Sequence, residues 1–485
     1  MLALASGFTD QQRAHLNPRD YTACFMLPWN EDQIADYLAQ TLGQAHVQDA
    51  LEIIGSVHNL TDLSRRPYLL SLIAPQLGDL ERERASGRPV NAASLYQTFV
   101  EKWLLRDEGK HQFTKEHKRL MMERLAADLW RDNAREWPWA RVAAWLDIFL
   151  YENPVIADRY SRDKVPTDIL NQDFRTATFF LRPDSSKDGF RFAHTSLLEF
   201  FLASRLIISL AQTGAAAVWD LPMPSLETFD FAGQILETMS RADCERALAG
   251  LRALLEDAAS PERARFVAFT FLVRAAKQGH PIPDTVAMQA RGLDLTAWEI
   301  HGSENRPLRL AGADFSGSTI IRASFRHVEM PGSRWQGADL RSAEFIDCGL
   351  ERADFSASGD TPVADKGAAG ASTRMEGVRL RHCRISGSRI TGARLDGIRV
   401  EPPASAPAID PHWRDTLAAF RSAWAVSAPG IWAAPLPTGS TAPLPPDPSL
   451  SEPPSEFWSF GHSYLVLSVA FSPDGTRLVS GSNDH

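Results

Sequence analysis

Cysteine and long hydrophobic runs are scarce in this sequence. The four cysteines lie far apart and form no Cys-x-x-Cys pair; they are Cys24, Cys244, Cys348 and Cys383. This spacing supports neither a disulfide framework nor a zinc knuckle. The most apolar stretch, residues 196–211, is interrupted by Glu199 and Arg205. It is too short and too polar to span a bilayer, so we expect no membrane partner.

An excess of positive charge is also absent. Lysine and arginine number 51 against 60 acidic residues, which gives a net charge of −9. No chain-wide basic field therefore attracts nucleic acid or anionic lipid. The amino terminus has no basic segment ahead of its apolar residues, so no signal peptide is visible. A length of 485 residues is typical of a few domains, and we expect a cytoplasmic, multidomain protein.

The motifs of self-contained enzymes are missing too. The sequence has no Gly-x-x-x-x-Gly-Lys-(Ser/Thr) loop for phosphates and no apolar strand that ends in paired carboxylates for magnesium. Neither His-Glu-x-x-His nor Gly-x-Ser-x-Gly occurs. As presented, the chain is therefore predicted to be no enzyme, with no catalytic residue, no metal ligand and no cofactor of its own.

What the sequence does contain is a strict five-residue repeat over residues 308–355. Its central apolar positions are Leu310, Phe315, Ile320, Phe325, Met330, Trp335, Leu340, Phe345, Leu350 and Phe355. A small or apolar residue stands two positions before each. The period excludes an amphipathic helix, whose apolar stripe recurs every 3.6 residues, and an ordinary strand of period two. It suits one short side of a square coil, with the large residue on the axis.

These repeats resemble the pentapeptide-repeat family, whose Ala-(Asp/Asn)-Leu pattern matches residues 313–315 and 338–340. The resemblance implies a right-handed, four-sided β-helix. The same phase begins near Leu293 and resumes at Met375 after a Gly/Ala/Ser-rich interruption. We therefore predict a β-helix over residues 293–401, with an insertion at 356–372.

The segments after the repeats change in composition. Four apolar residues at helical spacing predict a helix that caps the β-helix; they are Trp413, Leu417, Phe420 and Trp424. Together with a proline-rich linker, this helix forms the predicted segment 402–460. Residues 461–485 resemble the start of a WD-type propeller repeat, with alternating apolar residues and a Pro473-Asp474-Gly475 turn. We expect a truncated blade there.

The first 292 residues are predicted to be largely helical. Capping-box pairs at Asn30 with Gln33, Ser94 with Gln97, and Ser196 with Glu199 open apolar-periodic runs. A short alternating strand at 190–194 leads directly into the last of these helices. We divide this part into a helical subdomain at 1–80, a helical and winged-helix-like region at 81–213, and a helical linker at 214–292.

Residues 1–213 resemble the carboxy-terminal half of NACHT-type signalling ATPases of the STAND class. The segment 192–203 is similar to the family's winged-helix motif, residues 60–72 to its proline-containing motif, and residues 27–34 to the segment after the ATPase core. The resemblance implies that 1–80 follows an ATPase core, expected upstream of Met1, and that ADP or ATP is the cofactor of a full-length relative. Oligomers are expected only with that core.

The same resemblance implies two nucleotide contacts. His194 would contact the β-phosphate of ADP and Pro67 would pack near the adenine. The first is physically reasonable because a helix amino terminus presents free amides and the positive end of its dipole to an anion. Two alternatives remain open at this point: a buried histidine bonded to a backbone carbonyl, and a helix-start proline.

A row of arginines marks the last repeats. Each stands immediately before a central residue; they are Arg379, Arg384, Arg389, Arg394 and Arg399. This position points outward, and twenty residues make one coil, so Arg379 and Arg399 are predicted to stack. The row predicts a basic collar for an anionic partner. The alternative is a solvated arginine face.

Three interpretations of function follow. The leading one is a regulatory sensor fragment of a NACHT-type signalling or defence ATPase that binds a protein partner through its β-helix or propeller. The second is a freestanding pentapeptide-repeat protein that binds or mimics nucleic acid or binds a topoisomerase partner. Mimicry requires an acidic surface, whereas residues 308–357 carry six basic and seven acidic side chains, and residues 378–400 carry six arginines and one aspartate. The third is a WD-repeat scaffold.

Overall fold

The structure is a computed structural model. It describes residues 29–56, 64–65, 70–71, 74–75, 91–106, 113–160, 169–170, 174, 180–181, 189–192, 194–357, 372–385, 388–390, 393–395, 397–401, 425–428, 431–433, 466–471 and 478–482. The chain divides into two compact units. The first comprises Met1–Ile207 and Asp230–Ser240, and the second comprises Ile208–Phe229 and Arg241–His485. Within the described ranges, none of the helices combines the length and apolar character that crossing a membrane requires.

Helices dominate the part of the chain before residue 280. Their bounds are α1 Glu31–Leu42, α2 Val47–Ser56, α3 Ala92–Arg106, α4 Lys115–Arg131, α5 Trp139–Glu152, α6 Pro154–Arg159, α7 Thr195–Leu210, α8 Ala215–Trp219, α9 Leu226–Thr238, α10 Arg241–Glu256 and α11 Glu262–Gln278. The helical prediction for this region is confirmed.

One of the three predicted capping boxes is correct as stated. Asn30 and Gln33 bond each other's backbone N–H groups at the start of α1. The second begins earlier, because Asn91 accepts the N–H of Ser94 and is the cap of α3. The third is wrong, because α7 begins at Thr195 and Ser196 lies inside its first turn. In both corrected cases an earlier side chain already accepts the free N–H group.

A small antiparallel sheet lies in the first unit. Its strands are β1 Glu136–Pro138, β2 Phe180–Leu181 and β3 Gly189–Phe192, in the order β1-β3-β2. Trp137 pairs with Phe190, and Phe180 pairs with Phe192. Helix α7 follows β3 after two residues. Its residues 200–203 are buried, so α7 is the central helix of the first unit's apolar core.

The β-helix lies in the second unit. Its strands are β4 Glu299–His301, β5 Leu308–Arg309, β6 Ser324–Arg326, β7 Val328–Glu329, β8 Glu344–Ile346, β9 Arg379–Arg381 and β10 Arg399–Glu401. Parallel pairing links stacked sides, which stand twenty residues apart in β6–β8 and twenty-five apart in β4–β6, where the excursion after β4 lengthens the coil. The ladder begins at Gln289, which pairs with Asp314. This is one side before the predicted boundary of 293.

Large apolar residues fill the axis of the coils as the period predicts. All ten central residues between Leu310 and Phe355 are fully buried. Aromatic rings stack between coils, with centroids 4.4 Å apart for Phe315 and Trp335 and 4.8 Å apart for Phe325 and Phe345. At the first coil, Trp298 stacks on Phe269 of α11 at 5.7 Å. Helix α11 therefore covers the amino-terminal end of this core.

Two segments leave the regular coil and return to it. Between Glu299 and Arg309 a short excursion is closed by a bridge from Ser303 to Arg306. Residues 358–371 of the predicted insertion lie outside the described residues. The chain rejoins the ladder at Arg374, which pairs with Asp339. The prediction that the phase resumes after the insertion is confirmed.

A β-hairpin pairs with the last coil of the β-helix. Strands β11 Ala425–Ala428 and β12 Ile431–Ala433 pair with each other, and β12 pairs antiparallel with β10. The predicted capping helix lies outside the described residues. Strands β13 Val466–Phe471 and β14 Leu478–Ser482 form an antiparallel pair. This agrees with the predicted strands of residues 461–485, while the blade itself stays a prediction.

Candidate functional site

His194 lies between β3 and α7 and is half-buried. Its carbonyl oxygen accepts the N–H of Leu197 at 3.1 Å. Its ring atom Nδ1 accepts the N–H of Ser196 at 3.1 Å. The histidine is therefore the cap of α7, a position that sequence reasoning had given to Ser196. Because a capping atom must be an acceptor, the neutral ring carries its proton on Nε2.

A second side chain fixes this junction from another helix. The hydroxyl of Tyr96 on α3 donates to Ser196 Oγ at 2.5 Å, and Ser196 Oγ also lies 2.5 Å from His194 Nδ1. Tyr96 packs its ring on Phe200, with centroids 5.5 Å apart. The contact ties α3 to the start of α7. No sequence signal distinguishes Tyr96 from the other aromatics of its helix.

A nearly buried polar network joins the same helices further along. Glu123 on α4 accepts from Arg119 Nε at 3.0 Å and from Ser204 Oγ at 2.6 Å. Arg119 also donates to Gln97 on α3 at 2.7 Å. Removing one partner would leave a buried charge without compensation. The network therefore holds α7, and with it His194, in one arrangement.

The structure describes one of the two predicted nucleotide contacts. Pro67 lies outside the described residues, so its proximity to adenine stays a prediction. His194 stands at the amino terminus of a sixteen-residue helix, where the positive end of the helix dipole favours an anion, although His194 already accepts the N–H groups of Ser196 and Leu197. The alternative is a histidine ring bonded to a backbone carbonyl. Nδ1 does not make such a bond, because it accepts a backbone N–H group.

The arginines of the last repeats lie where the period places them. Arg379 and Arg399 are direct partners in the pairing of β9 with β10, so the predicted stack is confirmed. Arg374 and Arg394 pair one column away, and Asp354 and Arg389 pair on another side. The arginines therefore surround the coil.

Several of these arginines are neutralised by acidic residues of earlier coils. Arg384 contacts the carboxylates of Glu329 and Glu351, which raise its pKa although burial opposes the shift. Arg389 lies 3.0 Å from Asp354. Acidic partners therefore offset two of the five arginines, while the predicted basic collar for an anionic partner and the alternative of a solvated arginine face both stay predictions. The net charge of residues 378–400 does not include these acidic partners, because the partners stand 33 to 55 positions earlier in the sequence than the arginines.

Arg394 and Arg399 differ from the rest of the row. Both are exposed, and among the described residues no carboxylate forms an ion pair with either of them. Arg394 is the last member of its column in the described ladder, whereas Arg399 is followed by Ala433 of β12. An anionic group could approach them without displacing a partner.

The described part of the chain holds no group of three or more histidine, cysteine or acidic side chains placed to bind a metal ion.

Comparison with known proteins identifies the repeats. The family model for pentapeptide repeats matches eight copies over residues 320–356. This segment consists of pentapeptide repeats. The match lies inside the β-helix and covers a small part of the chain. The resemblances of residues 1–213 to NACHT proteins and of residues 461–485 to WD repeats therefore stay predictions. The search of curated proteins gave no match.

The solved structures that are similar to this chain include HetL, QnrB1 and a plant protein. HetL, a pentapeptide repeat protein involved in heterocyst differentiation regulation in the cyanobacterium Nostoc sp. strain PCC 7120, is 19% identical over 25% of this chain and 52% of HetL, with a TM-score of 0.13. QnrB1, a plasmid-mediated fluoroquinolone resistance protein, is 16% identical over 24% of this chain and 68% of its own, with a TM-score of 0.11.

The third is a pentapeptide repeat protein from the thylakoid lumen of Arabidopsis thaliana. It is 24% identical over 26% of this chain and 76% of its own length, with a TM-score of 0.09. The chain spans about half the length of HetL, at 52%. All three similarities cover about a quarter of this chain.

Proposed function

We propose that this chain is the regulatory and partner-binding part of a NACHT-type signalling ATPase. The observation that carries the proposal is the position of His194. It caps the long helix α7 directly after β3, and its capping bond leaves the proton on Nε2. A phosphate at this point would meet an imidazole donor and a helix amino terminus together.

The order of elements around His194 supports the proposal. Among the described elements, helix α4, strand β1, helices α5 and α6 and strands β2 and β3 occur in this order, with further helical residues at 169–170 and 174, and the sheet order is β1-β3-β2. A winged helix has this succession of helices and a three-stranded antiparallel sheet. The family resemblance of residues 192–203 places its winged-helix motif at the same junction.

The mechanism we propose is a change in the populations of two states. In the resting state, His194 Nε2 and the first turn of α7 hold a phosphate of ADP, and Pro67 packs near the adenine. A partner that binds the β-helix favours a second state in which this contact is lost. Such coupling requires that the partner binds the two states with different affinity.

The partner surface proposed for the β-helix includes Arg394 and Arg399. Their exposure, and the neutralisation of Arg384 and Arg389 by acidic neighbours, favour a partner with a localised negative group. A nucleic-acid mimic would need an extended acidic surface instead. The ion pairs between coils disfavour that function because they alternate acidic and basic side chains.

The test uses the gene product extended upstream to include a phosphate-binding loop. His194→Ala removes one donor to the phosphate, and a charge-assisted hydrogen bond contributes about 1.5–3 kcal/mol, so the ADP off-rate should rise about 10- to 150-fold. His194→Gln keeps a neutral donor and should be milder. His46→Ala changes an exposed histidine of the same unit and serves as the control.

Two results would contradict the proposal. One is an upstream genomic sequence without any phosphate-binding loop. The other is a His194→Ala protein whose ADP off-rate is unchanged while its Tm is lowered, which would leave His194 with a structural role alone. For the chain as presented, we expect no ATP hydrolysis, and sub-micromolar ADP affinity by calorimetry would require a nucleotide site other than the one proposed.

A further inference from the structure

Two cysteines occupy the same inward position on successive coils of the β-helix. Each stands two residues before a central apolar residue, Cys348 before Leu350 and Cys383 before Ile385. The residues that follow them, Gly349 and Arg384, pair directly in the parallel ladder. The N–H of Arg384 donates to the carbonyl of Cys348 at 2.9 Å. The two side chains are therefore nearest neighbours along the axis of the coil.

Both thiols are enclosed and point the same way. Cys348 Sγ lies 3.4 Å from the carbonyl oxygen of Phe325, one coil before it. Cys383 Sγ lies 3.3 Å from the carbonyl oxygen of Phe345, again one coil before it. The exposed fractions of the two residues are 0% and 9%. Burial, together with the neighbouring Cys348, raises the pKa of the Cys383 thiol, so under reducing conditions the pair rests as two thiols.

The spacing of the coils suits a covalent bond between them. Neighbouring strands lie about 4.8 Å apart, and disulfides join Cα atoms about 4.4–6.8 Å apart. Their Cβ atoms are about 3.5–4.5 Å apart, so bonding requires the two coils to draw together by a fraction of an ångström. The loop that the bond would close contains the insertion at 358–371.

We propose that Cys348 and Cys383 form a reversible disulfide when the protein meets a peroxide. Cys383, the more exposed of the two, loses its proton, and its thiolate attacks hydrogen peroxide and becomes a sulfenic acid. The O–O bond breaks, and the hydroxide that leaves takes up the lost proton to give one molecule of water. The second thiol displaces a second water to form the S–S bond. The peroxide is reduced by two electrons and the two sulfurs are oxidised. A thiol reductant reverses the modification.

The disulfide would fix the coil that carries the insertion to the coil before it. Residues 349–382 would become a closed loop inside the β-helix, anchored at both ends on one side of the coil. This would constrain the chain between those ends in the unfolded state as well. The inference is independent of the proposed nucleotide switch, because both cysteines lie in the pentapeptide-repeat region.

The experiment treats the full chain with hydrogen peroxide, blocks the remaining thiols and measures intact mass and tryptic peptides without reduction. We expect a monomer lighter by two hydrogen atoms before the blocking groups are counted, and a linked pair of peptides, 342–352 and 382–384. We also expect the Tm of the oxidised protein to exceed that of the reduced protein by about 5 °C.

Matched variants separate this pair from the other thiols. Cys348→Ser and Cys383→Ser should each abolish the linked peptide and the rise in Tm, whereas Cys244→Ser on α10 should change neither. If the serine variants fold poorly, Cys348→Ala is the substitute, since Ala343 and Ala353 occupy the equivalent position on neighbouring sides. A pair that stays reduced at high peroxide, or a disulfide that links two chains, would overturn the proposal.

Discussion

The corner residues of the β-helix show how single side chains limit its stability. From Leu310 to Leu350, the second residue after the central position has a left-handed backbone, with φ of 68° at Gly317 and 57° at Arg322. Glycine adopts this conformation freely, whereas a residue with a Cβ atom is strained there. The sequence repeats glycine at this position on several sides. The residue pattern thus held a turn signal that an analysis of apolar positions alone did not use.

Replacing a strained corner residue with glycine should stabilise the β-helix. Arg322→Gly relieves a left-handed backbone and keeps the N–H bond to the carbonyl of Arg341. We expect a net gain of about 1 kcal/mol after the extra entropy of glycine in the unfolded chain. The midpoint of urea unfolding measures it.

The control for this prediction is the reverse change at a matched corner. Gly317→Ala should lower stability by about 1 kcal/mol, although nothing lies within 4 Å of the added Cβ atom. Equal midpoints for Arg322→Gly and the unmodified protein would show that the backbone there carries no strain.

Columns of ion pairs are the feature that matters at the scale of the element. Asp314 is 5% exposed and lies 3.1 Å from Arg334 on the next coil. Burial alone would raise the pKa of its carboxyl group, but hydrogen bonding from Ser316 and the charges of Arg334 and Arg291 outweigh burial and lower the pKa. The Asp314 carboxylate on one coil therefore stabilises the Arg334 guanidinium on the next coil. This ion pair favours one register between the two coils.

This lowered pKa makes the stability of the β-helix depend on pH. Above the unfolded-state pKa of about 3.9, the Asp314 carboxylate contributes its full stabilisation, and this contribution is lost as the pH falls through the lower pKa of the folded state. Asp314→Asn should lower the urea midpoint at pH 6 and reduce its decline between pH 5 and pH 2.

Asp294→Asn is the matched control, because Asp294 is exposed at the equivalent position of an earlier side, in the column next to that of Asp314. The pH dependence of the urea midpoint of this variant should match that of the unmodified chain. If the urea midpoint of the Asp314→Asn protein fell between pH 5 and pH 2 as steeply as that of the unmodified chain, other carboxylates would determine acid unfolding.

The sequence predicted the local features of these elements better than their partners. The five-residue period placed every axial residue from Leu310 to Phe355, because one side of a coil is determined by residues close in sequence. The partners of Arg384 and Arg389 were missed, since stacking brings together positions 33 or more apart. The cap of α7 was misplaced because a histidine nitrogen, which accepts only in one tautomer, replaced the usual hydroxyl.

At the scale of the whole molecule, the chain contains two units with separate cores. The core of the first includes Phe200 and Met121, and that of the second includes the stacked rings of the β-helix. Sequence analysis placed the start of the β-helix within one side of its observed start. It could not define the first unit as finely, because helical periodicity does not specify which helices pack together.

Phe325→Asp should unfold the β-helix and leave the helices of the first unit folded. The residue is fully buried, and a buried carboxylate without a partner costs several kcal/mol. Hydrogen exchange resolved by peptide should show lost protection over residues 308–355 and unchanged protection over α4 and α7. Arg326→Asp, an exposed change on the same strand, should affect neither region.

If Phe325→Asp removed protection in both units together, the two cores would unfold as one cooperative body. If it removed protection in neither, the axis of the coil would not be the dry core that the stacked rings describe. The two outcomes are distinguishable in a single exchange experiment.

The excursion at 358–371 has a practical consequence for protein engineering. The coil departs after Asp354 on one side and resumes at Arg374 on the next, and the pairing of Asp339 with Arg374 is parallel like its neighbours. This corner is therefore a position where a foreign sequence can be inserted into the β-helix without changing the register between its coils. A reporter or affinity tag exchanged for those residues would therefore leave the pairing of Asp339 with Arg374 unchanged.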